Sequence, residues 1–191
     1  MPLPAKSLLT TLAFLVSLPM AAQPPNRPHD ADLFARLSYS NTGYIPSEGV
    51  RHLCVALSRD GDYRLVRTLS GARIQRLEGK IPEQQFRQLR MWLRSEEFRQ
   101  FSGNHGGLIL KHAETFGAEI AAPDSEDGPL RLHWMNADGE NPFPTPVAKV
   151  VDWLKHFEPK SGTSFGNAED SDVCPSAGLR PIEPVVSELH H

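Results

Sequence analysis

Apolar residues recur along this chain with two periods, and the places where the period changes mark its elements. From Leu33 to Ser40 the alternate positions Leu33, Ala35, Leu37 and Tyr39 are apolar, as in a strand with one buried face. Val50–Arg59 and Tyr63–Leu69 alternate in the same way, with Leu53, Val55 and Leu57 on one face and Cys54 and Ala56 on the other. Asp60-Gly61-Asp62 between them predicts a hairpin. Ser70-Gly71 then turns the chain into a third strand, Ala72–Leu77. At Ile81 the period changes. With a turn of about 100° per residue, Phe86, Leu89, Trp92 and Leu93 share one side of a helix. Pro82 suits its first position and Glu83 the positive end of its dipole. Ser95 can cap a second short helix, with Glu96 and Glu97 in its first turn and Phe98 and Phe101 buried. Strand-like patterns return at Leu108–Lys111, Thr115–Ala122 and Leu130–Met135. Val147, Val150, Val151, Leu154 and Phe157 then define a helix that opens at Thr145-Pro146 and stops at Pro159.

Strands, a helix, more strands and a closing helix predict an α+β domain over residues 33–158. The expected form is an antiparallel sheet of about five to six strands packed against two helices on one face. Arg64, Arg67, Arg73 and Arg76 are expected to give the sheet an exposed cationic side. The loop Ser102–Gly107 is glycine-rich, but it follows a helix and runs into a strand, the wrong context for a phosphate cradle. In the loop Asn136–Pro144, Pro142, Phe143 and Pro144 are expected to dock a rigid corner into the core.

The N-terminus adds a destination. Lys6, the apolar run Leu8–Leu18 and the small residues before Gln23 have the layout of a cleaved signal peptide over residues 1–22. The run is shorter than the ~20 residues that span a bilayer, and no transmembrane segment is expected in the mature chain. Secretion or residence in the periplasm follows. Residues 23–32 read as a flexible leader, and residues 159–191 as an irregular tail tethered by Cys174. The whole chain carries 20 basic and 23 acidic residues; loss of Lys6 leaves 19 − 23 = −4. That balance gives no reason to expect nucleic acid as a partner. Basic residues concentrate in 51–100, 11 against 6 acids, and acids in 113–172, 12 against 4. In an oxidising compartment the two cysteines, Cys54 and Cys174, are expected to form a disulfide. For a loop of about 120 residues the chain-entropy estimate approaches 5 kcal/mol, an upper guide.

Candidate chemistry is sparse. His105, His112 and His133 could meet Asp138 at a metal, yet no tight ligand spacing such as H-x-x-x-H occurs, and no metal or cofactor is expected. Asp138 and Glu140 could face Asp124, Glu126 or Asp127 as a hydrolytic carboxylate pair, although Asp-Gly is ordinary turn chemistry. No serine lies in a context that would strain or activate it, and there is no EF-hand loop. The reading leans away from an enzyme. Arg87, Arg90 and Arg94 fall on one helix flank and form the candidate binding site. Arrayed guanidinium groups recognise carboxylates and phosphates by paired hydrogen bonds, so an acidic glycan, a lipid headgroup or an acidic protein surface would fit. Equally, these arginines could solubilise an exposed face and pair with the chain's own acidic half.

The hairpin of strands 50–69, followed by P-E-Q-Q-F-R-Q-L-R-M-W-L and S-E-E-F-R-Q-F, resembles exported bacterial domains of unknown function. The likeness covers residues 33–158 and implies the fold and export, with no site to carry over. The expectation is therefore a small soluble exported domain with a non-catalytic binding or accessory role at the cell envelope, toward an anionic partner. The alternative is a secreted hydrolase using the histidines and carboxylates of the central loops.

Overall fold

The computed structural model of the chain describes residues 32–43, 49–70, 73–106, 112–122, 128–159, 162–166 and 173. The expected signal peptide, the leader up to residue 31, the strand expected at Leu108–Lys111, and Cys174 lie outside them. The elements run β1 (Leu33–Asn41), β2 (Val50–Ser58), β3 (Asp62–Leu69), β4 (Ile74–Lys80), α1 (Glu83–Arg94), α2 (Glu96–Arg99), β5 (Gly103–His105), β6 (Ala113–Ile120), β7 (Leu130–Ala137), α3 (Thr145–Lys155) and β8 (Thr163–Ser164). Pro82 precedes α1 as its N-cap, and the Ser95 hydroxyl accepts the Phe98 N–H at 3.2 Å to start α2.

The eight strands among the described residues join into one sheet in the order β5-β7-β6-β1-β2-β3-β4-β8. All neighbours are antiparallel except β5 and β7, so the sheet is mixed and larger than the five to six strands expected. The two unexpected strands are its edges. Gly103–His105 and Thr163–Ser164 are too short and polar to show a period; pairing with β7 and β4 makes them strands. Three helical segments are present: the two long helices expected, and α2, the short helix expected after Ser95.

Alternation along the strands separates two sides of the sheet. On one side, Leu37, Tyr39, Leu53, Val55, Leu57, Leu65, Phe116, Leu132 and Trp134 form a single buried cluster with Phe86, Leu89 and Leu93 of α1, Phe98 of α2 and Val150, Val151 and Leu154 of α3. Each fully buried Leu or Phe contributes about 1.5–3 kcal/mol over its exposed state, so this layer is the main source of stability. A register shift between Leu33 and Ala35 breaks the expected alternation of β1 and brings Phe34 into the same cluster.

The other side is not the exposed cationic face the sequence suggested. Residues three apart on a strand point to opposite sides, so Arg64 and Arg67 cannot share one. Arg64 is 6 % exposed, bonds Glu78 Oε2 at 3.2 Å and lies 5.3 Å above the Phe165 ring. Arg67 is on the helix side, where its Nε donates to Gln75 Oε1 at 2.5 Å. The reverse side instead holds a second small core of Leu33, Cys54, Ala56 and Val66, covered by Val173 and Phe165.

Candidate functional site

Burial of Phe86, Leu89 and Leu93 fixes the rotation of α1 and leaves Arg87, Arg90 and Arg94 together on its neighbouring flank. Their surroundings differ. Arg87 is exposed and pairs with Glu83 at 2.6 Å, one helical turn back. Arg90 is half-buried, its guanidinium 5.7 Å from the centre of the Phe34 ring and 5.6 Å from that of Phe86. The Arg94 guanidinium is 5.4 Å from the Phe34 ring. The two rings meet edge-to-face with centroids 5.7 Å apart. A guanidinium on an aromatic ring gains roughly 0.5–1 kcal/mol and keeps its N–H edge available to a carboxylate or phosphate. Among the described residues no carboxylate pairs with Arg90 or Arg94. Sequence pattern found the arginines but missed Phe34, the ring that orients two of them. Its one sequence signal was the break in alternation at Leu33-Phe34-Ala35.

Beside this flank a cleft of about 570 Å³ is lined by Asp60, Lys80, Ile81, Pro82, Glu83 and Phe86. Its charges are matched internally. Lys80 Nζ lies 4.0 Å from Asp60 and 3.7 Å from Asp62, and Glu83 pairs with Arg87. The Ser58 hydroxyl donates to Asp60 and holds its carboxyl below the usual range. Gly61, at the hairpin tip with φ +90°, sits against Phe86, where a Cβ would come within 3.1 Å of the ring.

Among the described residues, the histidines and acids of the central loops do not converge. His105 is on the helix side, stacked on Trp134 at 4.6 Å and bonded to the Phe101 carbonyl. His133 is on the reverse side, 3.0 Å from Asn104 Oδ1, where burial pushes its imidazole below the ordinary value. The His112 carbonyl accepts the Asp138 N–H at 2.8 Å. Asp138 (φ 49°) and Gly139 (φ 80°) form the centre of a tight turn closed by the Glu140 N–H on the Ala137 carbonyl. Trp134 Nε1 then donates to the Asn141 carbonyl, and Phe143 packs on the main core, the rigid corner expected there. Asp124, Glu126 and Asp127 lie outside the described residues. Among the described residues no three His, Cys, Asp or Glu side chains are grouped to hold a metal ion. Cys54 is buried in the reverse-side core with its Sγ 3.2 Å from His52 Nε2.

One polar cluster left no trace in the sequence. The Tyr39 hydroxyl donates to Glu114 Oε1 at 2.5 Å, and Lys155 Nζ donates to the same oxygen at 2.9 Å. Burial, reinforced by Glu114, pushes the Tyr39 hydroxyl up to about 12. Burial would raise Glu114, but the hydrogen bonds from Tyr39 and Lys155 outweigh it and the carboxyl lies below its usual value. Burial would lower Lys155, but its bond to Glu114 prevails and the ammonium is held above its usual value. The partners are 75 and 41 positions apart, beyond any local pattern. The triad ties β1, β6 and α3 together and satisfies its own polar groups, which is a structural role.

No family model matches the chain, and no curated protein matches it.

Proposed function

We propose that this chain is an exported, non-catalytic binding or accessory domain of the cell envelope that recognises an anionic partner through Arg87, Arg90 and Arg94. One observation carries the reading: Arg90 and Arg94 are oriented on Phe34 with no carboxylate partner among the described residues. Arginines that merely balanced the acidic half of the chain would be paired with it. Ordering a long side chain costs up to about 2 kcal/mol of rotamer entropy; here the rings meet part of that cost before any partner arrives. The alternative of a secreted hydrolase has no converging acid–base pair among the described residues to support it.

Titration with dextran sulfate, with neutral dextran as control, tests the proposal. Arg90→Lys and Arg94→Lys keep the charge but lose the planar fork and the ring contact. Each should weaken binding to dextran sulfate by about three- to tenfold while the fold is retained. Equal affinity for both dextrans, or unchanged affinity in the two variants, would remove the site.

A disulfide between Cys54 and Cys174 belongs to the same proposal. Val173, the residue before Cys174, is 2 % exposed within the cluster that holds Cys54, which supports the pairing.

A further inference from the structure

The contact between Cys54 and His52 belongs to neither the arginine flank nor the Tyr39 triad. The two residues are two apart on β2 and share its reverse side, with Cys54 Sγ 3.2 Å from His52 Nε2. Linked to Cys174 as proposed above, the sulfur has no hydrogen to give, so the ring carries its proton on Nε2 and donates. The residues opposite these two are uncharged. Ser40 and Thr68 flank His52, and Ser38 and Val66 flank Cys54. Charged groups begin one pair further on, where Arg36 and Arg64 flank Ala56, matched by Glu119 at 3.6 Å and Glu78 at 3.2 Å. Arg76 stands opposite Val66 on β4. Among the described residues His52 is the ionisable group in contact with the sulfur.

A disulfide sulfur is a weak acceptor, and a link that only had to stay closed would draw little from an N–H beside it. A thiolate is a strong acceptor. The contact therefore favours the open state, and it favours one sulfur over the other. In thiol–disulfide exchange a thiolate bonds to one sulfur and expels its partner, and the sulfur more stable as a thiolate leaves faster. His52 makes that sulfur Cys54. Access agrees, since Cys54 is 3 % exposed within the cluster that Val173 and Phe165 cover, out of an attacker's reach. We infer that the link is a reducible latch on the reverse-side core, opened by a dithiol that attacks Cys174 and expels Cys54 onto His52. The first thiolate of the dithiol forms a mixed disulfide with Cys174. Its second closes on the first, so the dithiol leaves as a cyclic disulfide and both protein sulfurs have gained one electron and one proton. Val173 is then no longer tied over Leu33, Ala56 and Val66. This rests on the disulfide proposed above and gives it a direction and a use.

Reduction of the full chain by dithiothreitol at pH 7, with acid quenching and alkylation, measures the rate. His52→Val suits a strand and offers no donor; folded as judged by circular dichroism, it should be reduced about three- to tenfold more slowly. A second measurement needs no variant. Brief treatment of the parent with glutathione, a monothiol, followed by peptide mass mapping, should find glutathione on Cys174 and none on Cys54. Reduction should also raise the fluorescence of an apolar dye as the smaller core loses its cover. Equal rates for parent and folded variant, glutathione on Cys54, or unchanged dye fluorescence would each overturn the latch and leave a permanent structural link. A parent whose mass gains no two hydrogens under reductant has no link, and both proposals fall.

Discussion

At the scale of single residues, the strongest electrostatic statement concerns Tyr39, Glu114 and Lys155. Tyr39 and Lys155 are both held above their unfolded values. Their stabilising contribution is therefore complete below about pH 10 and disappears as the pH rises through the folded values, for Tyr39 about 12. Glu114 is shifted the other way, so its contribution exists above the ordinary carboxylate range and is lost as pH falls through its lowered value. Tyr39→Phe removes one bond to a charged acceptor and should cost about 1–3 kcal/mol at neutral pH. It should also flatten the alkaline limb of a plot of urea midpoint against pH, leaving the limb set by Lys155. An unchanged alkaline limb would show that Tyr39 does not titrate with folding. The arginines have a residue-scale consequence too. Because Arg90 and Arg94 cover Phe34, changing either to Gln perturbs the edge of the core as well as any ligand. Arg87 touches no ring, so changing it leaves the core edge intact but also unpairs Glu83.

Between elements, the tip of the β2–β3 hairpin meets α1 at one close approach. Gly61 combines a positive φ with a position where a Cβ would be 3.1 Å from the Phe86 ring. Gly139 shares the backbone strain, at φ +80°, but a Cβ there meets nothing within 4 Å. Gly139→Ala should therefore cost about 1 kcal/mol, for the backbone alone, and Gly61→Ala about 2–3 kcal/mol, for backbone and contact together. Equal losses in chemical denaturation would mean that the hairpin and helix do not press on each other. This is also the scale at which sequence reading worked and failed. The long amphipathic elements were legible because each carries its own period: β2, β3, α1 and α3 fall close to where the pattern placed them. β5 and β8 were not, since three and two residues cannot establish a period and their partners are distant in the chain. The expectation of a cationic sheet face failed at a simpler level, because arginines at odd spacings along β3 and β4 were assigned to one side of a structure with period two. At the candidate site, the charges were legible from the 3.6-residue repeat, while Phe34 was hidden by a local register shift.

For the whole molecule, one sheet serves two unequal cores. The larger joins all three helices to the sheet, and the smaller is closed by Phe165 and Val173, which follow α3 in the chain. The proposed link from Cys54 to Cys174 would fasten that closure. Replacing both cysteines with Ser should lower stability by about 2–5 kcal/mol, a range seen when native disulfides are removed, and should abolish any dependence of the denaturation midpoint on reductant. A midpoint of the parent protein that ignores reductant would count against the link.

The closure by Phe165 and Val173 also sets an order of events. A polypeptide is made from its N-terminus, so β1 to β4 are complete well before the residues that cap their reverse side exist. A sheet that formed before they arrived would leave Leu33, Ala56 and Val66 facing water, next to the bare edge of β4 that β8 later occupies. An unpaired strand beside an apolar patch is the arrangement from which nascent chains aggregate. Phe165 and Val173 are thus what turns a sticky intermediate into a finished fold, and a chain cut after α3 keeps the sticky face.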